Sequence, residues 1–165
     1  MTSKLKSLDE LAAITSQSDK KIGLITGCFD VLHAGHVDLI NFAKTHVDIL
    51  IVGIDGDEAV KINKGKDRPL FDQLSRADVL SALENIDYVF ILEHTFRYDD
   101  FESMDTFHTE IWRKLKITHV ITNKESDLAW KAKILRAEKE GVTLLLQDHK
   151  RIITSSSSII ERLGL

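Results

Sequence analysis

His33 and His36 stand three residues apart in the decapeptide Gly27-Cys28-Phe29-Asp30-Val31-Leu32-His33-Ala34-Gly35-His36, directly after the apolar run at 22–26. If a helix begins near Ala34, the two imidazoles lie about one turn apart at its positive end. Ring N–H groups and the free amides of a first helical turn donate well to phosphate oxygens. Gly35, lacking a side chain, lets a ligand approach the backbone closely. A bare His-x-x-His is more often a cap or a core pair. No third zinc-type ligand stands nearby to make it a metal site.

A second constellation is Arg151-Ile-Ile-Thr154-Ser155-Ser156-Ser157-Ser158-Ile159-Ile160. A serine run is ordinarily a flexible linker. This one leads into Ile159, Ile160 and Leu163 at helical spacing, and serine is a preferred N-cap. A hydroxyl-rich helix start behind an arginine is a second cradle for phosphate. The serines have no evident histidine–carboxylate partner, so an activated serine nucleophile is not indicated. The third constellation is basic: Lys61, Lys64, Gly65, Lys66, Arg68 and Pro69, with Arg76 following. Such a run is usually a solvated loop. Here it stands out, because the chain carries a net charge of −4 and any anion site must be locally basic.

Elements able to position these groups follow from apolar patterning. Short continuous runs at 22–26, 49–53, 88–92, 119–122 and 143–146 read as strands buried on both faces. Helical spacing falls between them at 35–44, 72–84 and 126–140, the last stopped by Gly141 as by a C-terminal cap. Residues 7–15 read as a leading helix capped by Ser7, and 16–21 as its connector. Residues 61–71 read as a mobile loop around Gly65 and Pro69, and 94–116 as a helix entered through a loop at 98–100. Strand alternating with helix predicts a Rossmann-like, doubly wound parallel sheet of five strands in the α/β class. The 165 residues suffice for one domain, 1–165. A single cysteine excludes an internal disulfide, and no run approaches a membrane span. The charged N-terminus and acidic balance predict a cytoplasmic protein without a nucleic-acid or membrane partner.

The decapeptide resembles the signature of the cytidylyltransferase-like nucleotidyltransferases, His-x-Gly-His preceded by Gly-x-Phe-Asp. Residues 151–158 resemble the family's Arg-x-x-x-Ser-Thr-Thr, with Ser156, Ser157 and Ser158 on the last three positions and Arg151 on the first. The order Val-Lys, Lys-Gly, Arg-Pro and a downstream arginine resembles the sugar-phosphate members. The match is nearest to heptose 1-phosphate adenylyltransferases, with glycerol 3-phosphate cytidylyltransferases close behind. The resemblance implies that His33 and His36 contact the phosphates and stabilise the pentavalent α-phosphorus. It also implies that Lys61 or Lys64 neutralises charge there and that Arg76 binds the β- and γ-phosphates. Gly27, Cys28, Phe29, Asp30 and Gly35 would line the same pocket, Phe29 through its backbone; the Cys28 side chain reads as a small buried filler. The implied reaction moves NMP from ATP or CTP to a phosphorylated sugar or polyol and releases pyrophosphate. Mg²⁺ would accompany the triphosphate without an assigned protein ligand, in a homodimer. Flavin- or pantetheine-type acceptors and a non-catalytic nucleotide sensor are the alternatives. The chain departs from these relatives at 122–127, where their Gly-Gly-Asp turn is replaced by Thr-Asn-Lys-Glu-Ser-Asp. Asn123, Lys124 and Glu125 are therefore candidates for contacts to base or acceptor by location.

Overall fold

In a computed structural model, which describes residues 3–95, 97–127, 129–148 and 155–164, the five apolar runs form one wholly parallel sheet. The strands are β1 (Ile22–Gly27), β2 (Ile49–Asp55), β3 (Tyr88–Leu92), β4 (His119–Asn123) and β5 (Thr143–Gln147), in the order β3-β2-β1-β4-β5. Each observed strand starts at the predicted residue, and four run one or two residues further. Seven helices accompany them among the described residues: α1 (Leu8–Thr15), α2 (Ala34–Lys44), α3 (Asp57–Lys64), α4 (Gln73–Ser81), α5 (Phe101–Lys114), α6 (Trp130–Glu140) and α7 (Ser156–Leu163). None of the described helices is long and apolar enough to cross a membrane.

The period-two alternation of strands sorts the core into two layers. Ile25, Leu50, Val52 and Ile54 meet Ile40 and Ala43 of α2 and Ala77 and Leu80 of α4 on one face. Ile22, Leu24 and Ile51 meet Leu11 of α1, Ile111 and Trp112 of α5, Leu115 just after it and Ala137 of α6 on the other. The sheet is therefore doubly wound, as predicted. Residues 4–6 lie along the outer edge of β3, with Lys6 N–H donating to Val89 O and Val89 N–H to Lys4 O, both at 2.9 Å. That pairing covers an edge otherwise open to association.

Helix ends follow local chemistry. Ser7 and Glu10 exchange a capping box, as Ser7 was expected to. α4 starts behind Asp72, whose carboxylate accepts from Ser75 N–H at 2.8 Å. Two expectations are corrected. Residues 57–64 of the basic segment are helical: Ala59 and Val60 are buried and the turn closes at Gly65, whose φ of 104° suits glycine alone. α6 begins at Trp130 rather than 126, because Asn123 Oδ1 accepts from the N–H groups of Glu125 and Ser126 at 2.9 and 3.1 Å. A side chain that bonds the backbone locally competes with helix.

The chain reverses its strand order between β1 and β4, which pair through Gly23–His119 and Leu24–Val120 only. Beyond those residues their C-terminal ends are unpaired, which makes the crevice at a topological switch point where open α/β sheets bind ligands. Residues 27–36 leave one lip and 123–127 the other.

Candidate active site

His33 occupies the cap position of α2 in extended conformation, and its N–H donates to His36 Nδ1 at 3.4 Å. With Nδ1 accepting, the proton of neutral His36 resides on Nε2, so the ring offers a donor. The two imidazoles stack with centroids 3.8 Å apart, and Phe29 packs on His36 at 4.9 Å. Burial pushes His36 down to about 3, and the neighbouring His33 and Lys64 push the same way. Burial also lowers His33. At neutral pH the pair is therefore uncharged: two polarisable rings at a helix N-terminus, without the repulsion that two imidazolium ions would suffer. His33 Nδ1 is buried and has no hydrogen-bond partner among the described residues. Unpaired buried polar atoms are rare, and they are expected where a ligand completes the site.

The turn ahead of α2 is held from behind. Phe29 has φ 50°, in the left-handed region, a conformation that costs a non-glycine residue about 1 kcal/mol. Asp30 does not line an open pocket mouth as the resemblance implied. Its carboxylate is fully buried, accepting from Arg68 Nε at 2.6 Å and from the N–H groups of Leu70 and Phe71 at 2.8 and 3.2 Å. The 68–71 stretch, expected to be free, is thereby tied to the histidine loop.

Arg76, expected at the β- and γ-phosphates, is held among protein acceptors. It is 2% exposed. Its Nε donates to Phe71 O at 3.0 Å, Nη1 to Cys28 O, and Nη2 to Asp55 O and Asp57 Oδ1 at 2.8 Å each. Four protein acceptors surround the guanidinium in this structure. The two candidate lysines separate as well. Both side chains are exposed: Lys61 pairs with Glu58 at 2.6 Å, and Lys64 stands near enough to His36, Cys28 and Asp55 for its charge to push each of them down. Cys28 is buried, as a filler should be, and burial raises its thiol.

The serine-rich helix start meets the histidine loop: Ser156 Oγ donates to Val31 O at 2.9 Å. Ser155 is the N-cap of α7, and Ser158 completes a capping box with it. Ser157 is exposed. Arg151 lies outside the described residues. On the other lip, Asn123 is occupied by its turn and by Gln147 Oε1 at 3.2 Å, and Lys124 Nζ lies 5.3 Å from the Trp130 ring centre. Glu125 is exposed.

Two pairs escaped sequence reasoning because their members lie far apart in the chain or read as helix. Tyr98 Oη donates to Asp55 Oδ2 at 2.6 Å, and Tyr98 N–H to Asn63 Oδ1 at 2.6 Å. Tyr98 is thus stapled across the ends of β2 and α3. Burial raises the Asp55 carboxyl despite the Tyr98 hydrogen bond. Asp127 accepts from Lys133 Nζ and Thr122 Oγ1 at 2.6 Å each. The loop expected at 98–100 is where Tyr98 sits.

Burial also lowers His108 to about 4, although its Nδ1 is 2.7 Å from Met104 O. Unfolded, both His36 and His108 would titrate near 6.5. Below that pH the unfolded chain binds protons that the folded chain refuses, so stability falls with pH. Urea midpoints should decline as pH falls from 6.5, towards about 4 for the share of His108 and about 3 for that of His36. His108→Gln should shallow that decline; an unchanged slope would contradict the assignment.

The cytidylyltransferase-like family model matches residues 24–162. The bifunctional protein HldE of Aliarcobacter butzleri (strain RM4018) is 35% identical over 133 residues, covering 72% of this chain and 28% of that protein. HldE of Campylobacter concisus (strain 13826) is 50% identical over 91 residues, covering 54% of this chain and 19% of its own. The matches therefore span less than a third of either relative's length. Pantoate-beta-alanine ligase from Francisella tularensis shares the fold, with a TM-score of 0.70 at 17% identity over 96% of this chain and 73% of that one. From Leu24 in β1 to Arg162 in α7 the family match takes in the stacked histidines, Lys64 and the serine helix start, and the chain belongs to the cytidylyltransferase-like family of nucleotidyltransferases.

Proposed function

We propose that this chain transfers a nucleoside monophosphate from ATP or CTP to the phosphate of a sugar or polyol phosphate, releasing pyrophosphate. The stacked neutral pair His33 and His36 at the start of α2, with one buried nitrogen unpartnered, carries the reading. A phosphate oxygen of the acceptor attacks the α-phosphorus; that P–O bond forms as the bond to the bridging oxygen breaks, and pyrophosphate takes the electron pair. A phosphate monoester is already a nucleophile, so the site needs positioning and charge stabilisation rather than a strong base. His36 Nε2–H and the α2 amides would donate to the α-phosphoryl oxygens, and Lys64 would offset their growing charge. Mg²⁺ would travel with the triphosphate oxygens: the described residues hold no group of three His, Cys, Asp or Glu that could cage an ion. A homodimer belongs to the same reading.

Pyrophosphate release, assayed with four nucleoside triphosphates against a panel of sugar, polyol, flavin and pantetheine phosphates, tests it. Turnover with a sugar or polyol phosphate supports it, and turnover only with another acceptor moves the chain to that class. Triphosphate binding without turnover for any acceptor would make it a sensor. Within the assay, Lys64→Ala should lower kcat at least about tenfold and Lys61→Ala less than about threefold. Equal losses would undo the distinction between them.

A further inference from the structure

Arg76, Phe71, Asp30 and Cys28 close a ring. Arg76 Nη1 donates to Cys28 O, the backbone runs through left-handed Phe29 to Asp30, the Asp30 carboxylate accepts from Phe71 N–H, and Phe71 O accepts from Arg76 Nε at 3.0 Å. The strained residue thus sits between two anchors, one on the carbonyl before it and one on the side chain after it. Nη2 of the same guanidinium holds Asp55 O at the end of β2 and Asp57 Oδ1 at the start of α3, the helix that ends in Lys64. A single buried cation therefore sets both the turn that delivers His33 and His36 and the helix that delivers Lys64. We infer that Arg76 is a positioning residue, which imposes the Phe29 turn and aligns α3 with it, and not a ligand of the β- and γ-phosphates. Strain of this kind persists only where surrounding structure over-determines it, and arginine is suited to the task because its planar fork serves several acceptors in fixed directions. Lysine carries the charge without the fork.

The inference rests on the transferase reading for its kinetic consequence but not for its structural one. Arg76→Lys and Asp57→Asn are compared with wild type by calorimetric binding of ATP against AMP and CTP against CMP, by turnover, and by amide hydrogen exchange at 28–31. A positioning Arg76 predicts that the lysine variant loses about tenfold or more in kcat, while its triphosphate-to-monophosphate affinity ratio stays within about twofold of wild type. A direct ligand predicts that this ratio collapses by about tenfold or more, since a charge-assisted contact to the outer phosphates is removed. Asp57→Asn keeps the guanidinium and frees it on one side. Positioning predicts lower kcat for that variant, and direct ligation predicts tighter triphosphate binding. Faster exchange at 28–31 in either variant supports the anchor, and wild-type exchange in both overturns it. If wild type binds neither nucleotide, the transferase reading fails, and the exchange data alone decide the role of Arg76. If Arg76→Lys does not fold, Asp57→Asn decides it.

Discussion

Replacing His36 with alanine is expected to lower turnover by about 10²-fold or more, with the fold intact. The ring is neutral, its Nδ1 is engaged by His33 N–H, and its remaining N–H is the donor that would meet the α-phosphoryl group. Donors aimed where charge develops are worth about 10²–10³ in rate. Truncation also removes the stacking partner of His33 and the ring on which Phe29 packs, so the remaining histidine loses its orientation as well. His36→Asn would keep a donor without the ring and should recover part of the loss. Steady-state kinetics with the best acceptor measures this, and a loss under tenfold in the alanine variant would remove His36 from its role.

The second large effect is on stability. Asp30→Ala is expected to destabilise the chain by about 3–5 kcal/mol, the cost of leaving a buried ion-pair partner alone. Arg68 would lose its carboxylate while remaining nearly buried, and the N–H groups of Leu70 and Phe71 would lose their acceptor. In a chain of this length the corresponding drop in Tm is on the order of 10 °C. Asp30→Asn keeps an acceptor of the same size but removes the charge, and should fall between the two. Urea denaturation monitored by circular dichroism gives the values. A change below about 1 kcal/mol in the alanine variant would show that the 68–71 stretch is held by other means.

How readily each part was read from the chain follows from the range of the forces that make it. The strands could be placed almost to the residue because strands covered by helices are continuously apolar, and the runs beginning at Ile22, Ile49, Tyr88, His119 and Thr143 stand out for it, even at the less buried edge strand β5. Ser7 announced α1 because a cap acts over three residues. α3 was missed because only Ala59 and Val60 are buried, and the rest is charged or, like Ile62, exposed; its helicity depends on tertiary contact and on the stop at Gly65. The start of α6 was misplaced because an Asn123 side chain can close a turn or face solvent, and the residues alone do not say which.

The sequence by itself determined the sheet, its double winding and the histidine loop at the mouth of β1, because burial patterns and helix-start chemistry are local. Only the tertiary structure decided what the charges do. Arg76 is 48 residues from Cys28, Asp30 is 38 from Arg68, and Tyr98 is 43 from Asp55. A charged side chain looks the same in a sequence whether it faces a ligand, water or a buried carbonyl. The difference lies in desolvation and in which distant backbone comes within hydrogen-bond reach. The fold surrounds Arg76 with four protein acceptors and pairs Lys61 with Glu58, and neither arrangement is written in the residues themselves.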